Sequence, residues 1–189
     1  METLEAIYKR RSIREYTEEA VSRADLEILL RAAFSAPTAA NGQPWEFVVI
    51  DEKDILDKIR RNFVFARYEA PAAIVVCDNS KLGLKGQNKE IWVCDCSAAI
   101  ENILLAATDI GLASVWIGIF PIESRMQKMR EIMNMPEYIN PFGMVYVGHG
   151  AYEAQGRCRY NEKAVYWQQY DPERKHKKKD KPVVGHYAD

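Results

Sequence analysis

Arg10-Arg11-Ser12-Ile13-Arg14 gathers three guanidinium groups and one hydroxyl into five residues. A guanidinium is a planar fork of donors that stays charged at any working pH and matches the oxygens of phosphate or carboxylate. The run therefore offers a seat for an anionic ligand. It also follows a short amphipathic stretch, Leu4-Glu5-Ala6-Ile7-Tyr8, and basic residues at a helix C-terminus complement the helix dipole without any ligand. On spacing alone the second account is the simpler, because short basic runs are common. The rest of the chain has to decide.

Other chemistry-bearing residues are sparse. Cys77 sits in an apolar run and reads as a small buried hydrophobe. Cys94 and Cys96 are two apart, the wrong spacing for a C-x-x-C redox or zinc motif, and Cys158 stands alone between Arg157 and Arg159. The three histidines, His149, His176 and His186, are scattered, so no metal site is expected. No Ser-His-Asp arrangement suggests a protein nucleophile. Chemistry would have to be carried by a bound group.

The elements that must position these residues follow from pattern. The chain has 189 residues, 48% hydrophobic and 28% charged, with a net charge of −1, which is the profile of one ordinary globular domain. That balance gives no pull toward nucleic acid or an acidic membrane. No apolar run approaches the ~20 residues of a membrane span, and the acidic start Met1-Glu2-Thr3-Leu4-Glu5 is unlike a secretory signal. A soluble, cytoplasmic protein is the expectation.

Helices are predicted over Glu2–Arg10, from Ser22 to Phe34 with a Ser22/Asp25 capping box, over Glu52–Arg67, over Trp92–Ile110 and over Glu123–Met133. Strands are predicted at Trp45–Ile50, Ala72–Cys77, Ala113–Gly118 and Phe142–Gly148. The helix from Trp92 is apolar nearly all round and should be buried on every side. Trp116 reads as a core aromatic of its strand, and the methionines from Met126 onward as core filler. Residues 78–89 read as a polar loop, and an extended tail begins at about 152. Its run Arg174-Lys175-His176-Lys177-Lys178-Lys179 reads as a solvated surface. The fold expected is one α+β or α/β domain over 1–189, a small sheet covered by helices.

Four separated pieces then form a pattern. They are Arg10-Arg11-Ser12-x-Arg14, the loop Ala36-Pro37-Thr38-Ala39-Ala40-Asn41-Gly42-Gln43-Pro44-Trp45, the helix and strand from Ala98 to Gly118, and Gly148 followed by Arg159-Tyr160-Asn161-Glu162. In this order they resemble the nitroreductase family, FMN-dependent reductases with an α+β fold, a central mixed or antiparallel sheet flanked by helices, and an intertwined homodimer. The resemblance implies that Arg10 and Ser12, with Arg11 beside them, hold the flavin phosphate and ribityl chain. It implies that Arg14 lies near the pyrimidine edge of the ring. Pro37, Thr38, Ala39 and Asn41 would reach the flavin from the partner subunit. Gly118, with Ile117 and Ile119, would face the ring near N5, and Arg159 would close on the phosphate, with Arg157 a competitor. Gly148-His149-Gly150 departs from the family's Gly-Tyr-Pro, and 78–89 matches no pattern.

The function implied is hydride transfer from NADH or NADPH to FMN and on to a small acceptor, a nitroaromatic or quinone, by a ping-pong mechanism. A family member with its own dedicated substrate and a non-catalytic FMN-binding module are the alternatives. A third is a surface-binding protein that uses the basic tail.

Overall fold

Ala72–Asn79 (β2) and Ile139–Gly148 (β4) are apolar along almost their whole length because they are the two central strands of a four-stranded sheet. A strand buried on both faces cannot alternate. Trp45–Ile50 (β1) and Ala113–Gly118 (β3) form the edges, in the order β1-β2-β4-β3, and every pair of these strands is antiparallel. The structure is a computed structural model that describes residues 1–156 and 158–174. The chain divides into two units, Met1–Gly156 and Arg157–Asp189, and the sheet belongs to the first.

Helices cover both faces. Arg23–Phe34 (α2) and Trp92–Asp109 (α4) pack on one side, where Leu29, Ala99, Ile103 and Val145 share a core. Lys53–Asn62 (α3) and Glu123–Met133 (α5) pack on the other, with Ile59, Met129, Met144 and Tyr146. Thr3–Lys9 (α1) buries only Ala6. Ser22 caps α2 as its sequence suggests, accepting the Asp25 N–H. Met126 and Met129 are buried as filler. The helix α4 ends in a Schellman motif: Gly111 has φ +81, and Leu112 N–H reaches Ala107 O at 2.8 Å.

Some expectations need correction. The helix predicted to Arg67 stops at Asn62, and a short 3-10 turn follows at Val64–Ala66. The Arg60 guanidinium turns the chain back, donating to Tyr68 O and Ala70 O at 3.3 and 3.4 Å while pairing with Asp57. Strands β2 and β4 run longer than predicted because Asp78 and Asn140 pair across them. The register shifts between Val76 and Cys77, opposite Pro141, which has no N–H to give the ladder. The segment Gly86–Asp109, which contains α4, is long and apolar enough by composition to cross a membrane, contrary to the sequence reading. Its buried face, from Trp92 through Ile103 to Ala107, lies in the core against the sheet and α2.

The tail unit is described from 158 to 174. Its 3-10 turn at Glu162–Ala164 is capped by Asn161, and Arg174 donates to Val165 O at 2.7 Å. The rest of the predicted basic run lies outside the described residues, as does Arg157.

Candidate cofactor site

The basic run leaves α1 at Arg10, whose backbone, at φ −50, ψ 127, is no longer helical. Ser12 then bridges to Ser114 on the free edge of β3, where Ile13 N–H donates to Ser114 O at 3.0 Å. Tyr16 bridges to Gly150, so the segment is fixed at both ends. A Cβ at Gly148 would lie 2.9 Å from the Tyr16 ring and 2.6 Å from Pro71, so glycine is required where this segment crosses the sheet end.

Successive side chains of an extended segment point to opposite sides. Arg11 and Ile13 accordingly line one cavity, of about 320 Å³, beneath Thr108 and Leu112, and Arg10, Ser12 and Arg14 do not line it. The sequence grouped Arg11 with its neighbours, and this alternation separates it from them. Arg10 Nε lies 3.7 Å from Glu101 Oε1, a loose pair with a half-exposed carboxylate. Arg14 Nη1 donates to Ser12 O at 3.3 Å and its guanidinium sits 5.9 Å from the Tyr68 ring centre. Among the described residues Arg14 forms no ion pair. Two buried polar atoms lack partners: Ser114 Oγ, on the strand that Ser12 bridges, and Arg11 Nη2, on the cavity side of the segment. Orphans of this kind cost free energy unless something supplies their bond. A dianionic group would find charge-assisted donors here.

Gly118 ends β3 four residues beyond Ser114, about 13 Å along the strand. It is exposed, and a Cβ there would meet nothing within 4 Å. The packing of the chain itself therefore does not demand glycine, whereas a flat group laid on this backbone would. Ile117 and Ile119 are only 5% and 0% exposed and anchor the strand in the core. Arg125 Nη1 donates to Gly118 O at 3.4 Å and stacks on Phe65 at 3.8 Å. Trp116, read as a core residue, is 36% exposed because β3 is an edge strand. It leans on Phe142 and lies so close to Gly143 that a Cβ there would sit 2.6 Å from its Nε1.

The Pro37–Asn41 loop is held elsewhere. The Ala39 N–H donates to Asp95 Oδ1 at 2.9 Å, on the first turn of α4. Arg10 meets Glu101, six positions on, roughly 9 Å along the helix axis. Thr38 Oγ1 accepts the Gln43 N–H at 3.2 Å. Ala40, Asn41 and Gln43 all have positive φ, at 51°, 54° and 46°. Such backbone costs of order 1–3 kcal/mol per residue and gathers at functional sites. Asn41 is exposed on this turn. Arg159 belongs to the second unit and is exposed there. Sequence reasoning missed Asp95 and Ser114. Asp95 is buried on the first turn of an apolar helix, and that placement is the one signal the sequence held for it.

The fold is α+β, with the basic segment bridged to the glycine-ended edge strand of its sheet. The chain belongs to the nitroreductase family, whose model, described as "Nitroreductase family", matches residues 7–66 and 60–149. It is 42% identical over 185 residues to an Archaeoglobus fulgidus protein named "Putative NADH dehydrogenase/NAD(P)H nitroreductase", covering 94% of this chain and 98% of that one. A solved structure of the same description from Bacteroides thetaiotaomicron superposes with a TM-score of 0.83 at 36% identity, covering 89% of this chain and 98% of that one. The FMN-dependent nitroreductase of Clostridium difficile R20291 superposes at 0.77 with 26% identity, covering 88% and 99%.

Proposed function

We propose that this protein is an FMN-dependent oxidoreductase that takes a hydride from NADH or NADPH and passes the electrons to a small acceptor, a nitroaromatic or a quinone, in ping-pong order. The observation that carries the reading is that the basic segment Arg10–Arg14 is fixed through Ser12 and Ile13 to Ser114 of β3, whose strand ends at the open Gly118. The names of its relatives, an NAD(P)H nitroreductase and an FMN-dependent nitroreductase, point the same way. FMN, when bound, supplies the chemistry by accepting a hydride at N5 and returning electrons to the acceptor.

The chain's own residues bind and orient. Arg10 and Ser12 would donate to the phosphate. Arg11 faces the neighbouring cavity and supports the segment from behind. Arg14 would supply the fixed cation near the pyrimidine edge, where it would stabilise the charge that reduction creates. The Gly118 backbone would leave room for the flavin ring, with Ile117 and Ile119 anchoring that strand end in the core. Pro37, Thr38, Ala39 and Asn41 complete the site from the partner subunit of a homodimer. In support of that dimer, α1 exposes Leu4, Ile7 and Tyr8 at 63%, 44% and 50%, and α4 leaves Ala98, Leu105 and Ala106 only half-buried within one chain.

Anaerobic mixing of the flavin-loaded protein with NADH or NADPH tests this reading. Bleaching of the flavin absorbance, and its return when a quinone is added after the nicotinamide is removed, is the expected result. No bleaching with either nicotinamide would leave a binding module instead.

A further inference from the structure

Asp78, at the end of β2, is 1% exposed, yet only one of its carboxylate oxygens has a partner. Oδ2 accepts Asn140 Nδ2–H at 2.9 Å, while Oδ1 is buried and unpaired. Asn140 is itself fixed, because its Oδ1 accepts Arg130 Nη2–H at 2.9 Å while Arg130 Nε donates to Ile139 O. The open oxygen therefore asks for a donor from outside the chain.

There is room for one. Asp78 lines a cavity of about 360 Å³ with Ser80, Gly83, Lys85, Lys89 and Trp92, far more than the ~10–15 Å³ that a single water needs. A Cβ on Gly83 would lie 3.4 Å from Asp78 Oδ1, so the bare glycine leaves that oxygen its opening. The charges around it are ordered. Burial disfavours the ionised carboxyl of Asp78, and Asp95 and Glu90 add like charge, while Lys85 and the Asn140 bond favour ionisation. A donor carrying positive charge would relieve both the burial and the repulsion. Lysines supply the opposite sign: Lys85 Nζ spends one donor on Ser80 O, and Lys89 has only a loose 4.0 Å contact with Glu90. The Trp92 ring, held edge-on by Phe120 and Phe142, adds an apolar wall.

We propose that this cavity binds a small organic zwitterion, its ammonium donating to Asp78 Oδ1 and its anionic group meeting Lys85 and Lys89. The site gives the 78–89 segment a role, and none of its residues is among those assigned to FMN.

The test is ligand-observed NMR on the full-length, flavin-loaded protein, with 4-aminobutyrate as probe and butyrate and n-butylamine as single-ended controls. Binding of 4-aminobutyrate at least ~10-fold tighter than either control is expected. A charged hydrogen bond carries roughly ten- to a hundredfold in affinity, so Asp78→Asn should weaken binding by that factor. Gly83→Ala should do likewise by covering Oδ1. The backbone at Gly83 is not in the left-handed region, so alanine fits there, and this variant decides the matter if Asp78→Asn fails to fold. No binding of 4-aminobutyrate, or equal binding by both variants and the wild type, would overturn the proposal and leave a water-filled cavity.

Discussion

Asp95 Oδ1 accepts the backbone N–H of Ala39 at 2.9 Å, across 56 residues of sequence, and through this bond α4 holds a turn containing three strained residues. The carboxylate is 5% exposed and sits on the first turn of α4, where the helix dipole favours negative charge. Removing it leaves the Ala39 N–H without a partner and frees the turn to relax. Asp95→Ala should destabilise the protein by ~1–3 kcal/mol in urea unfolding. Asp95→Asn keeps an acceptor and should recover much of the loss. Equal losses would mean that the charge, not the bond to Ala39, is what matters.

Arg14 tests tuning rather than binding. It forms no ion pair among the described residues, and its one hydrogen bond goes to Ser12 O. A cation beside charge that appears only on reduction favours the reduced form over the oxidised one. Arg14→Ala should lower the flavin midpoint potential by ~30 mV, which is about 1.4 kcal/mol for a two-electron couple. Oxidised FMN should bind nearly as well as before. A spectroelectrochemical titration reads both, and an unchanged potential would remove Arg14 from the ring edge.

Asp78 makes stability depend on pH in the direction opposite to most carboxylates. Burial raises its pKa above 3.8 in the folded state, with Asp95 and Glu90 adding to the rise and Asn140 and Lys85 opposing it. Between 3.8 and the raised value the folded protein therefore binds more protons than the unfolded one. Stability contributed by this group is present in acid and falls as pH rises through that window. Asp78→Asn abolishes the effect. The thermal midpoint of the variant relative to wild type should rise as pH moves from acid toward neutral, as read by scanning calorimetry. A difference that does not change with pH would contradict the assignment.

The cysteines divide by burial. Cys77 is pushed up to about 12 and Cys96 is also raised, both chiefly by burial, while Cys94 and Cys158 are exposed. Thiolates react and thiols do not. Brief alkylation of the native protein at mildly alkaline pH, followed by peptide mass spectrometry, should label Cys94 and Cys158 and spare Cys77 and Cys96. Unfolding in guanidinium should expose all four.

Much of this was legible in the chain. The four strands and five helices follow from alternation, apolar runs and caps, and the basic run stands out by residue type alone. What the sequence hid depends on contacts between distant residues. Phe63 to Ala66 continues a helical pattern, yet α3 ends at Asn62, and Arg60 reaches past that end to Tyr68 O and Ala70 O. Arg11 looks like its neighbours until the bridge between Ser12 and Ser114 fixes which side each faces. Asp78 and Asn140 are 62 residues apart and meet only through the β2–β4 register. Trp116 has the composition of a core residue, and its exposure comes from the edge position of β3.

If the basic run is a phosphate seat, Arg10→Ala will separate FMN from riboflavin in a flavin titration. FMN and riboflavin share the ring and ribityl chain and differ in the phosphate alone. Fluorescence titration of wild type and variant with each flavin should find FMN weakened roughly ten- to a hundredfold by the substitution, the value of one charged hydrogen bond. Riboflavin should bind both proteins alike. Equal weakening of the two flavins would make Arg10 a structural partner of Glu101, and no flavin binding by the wild type would contradict the account outright.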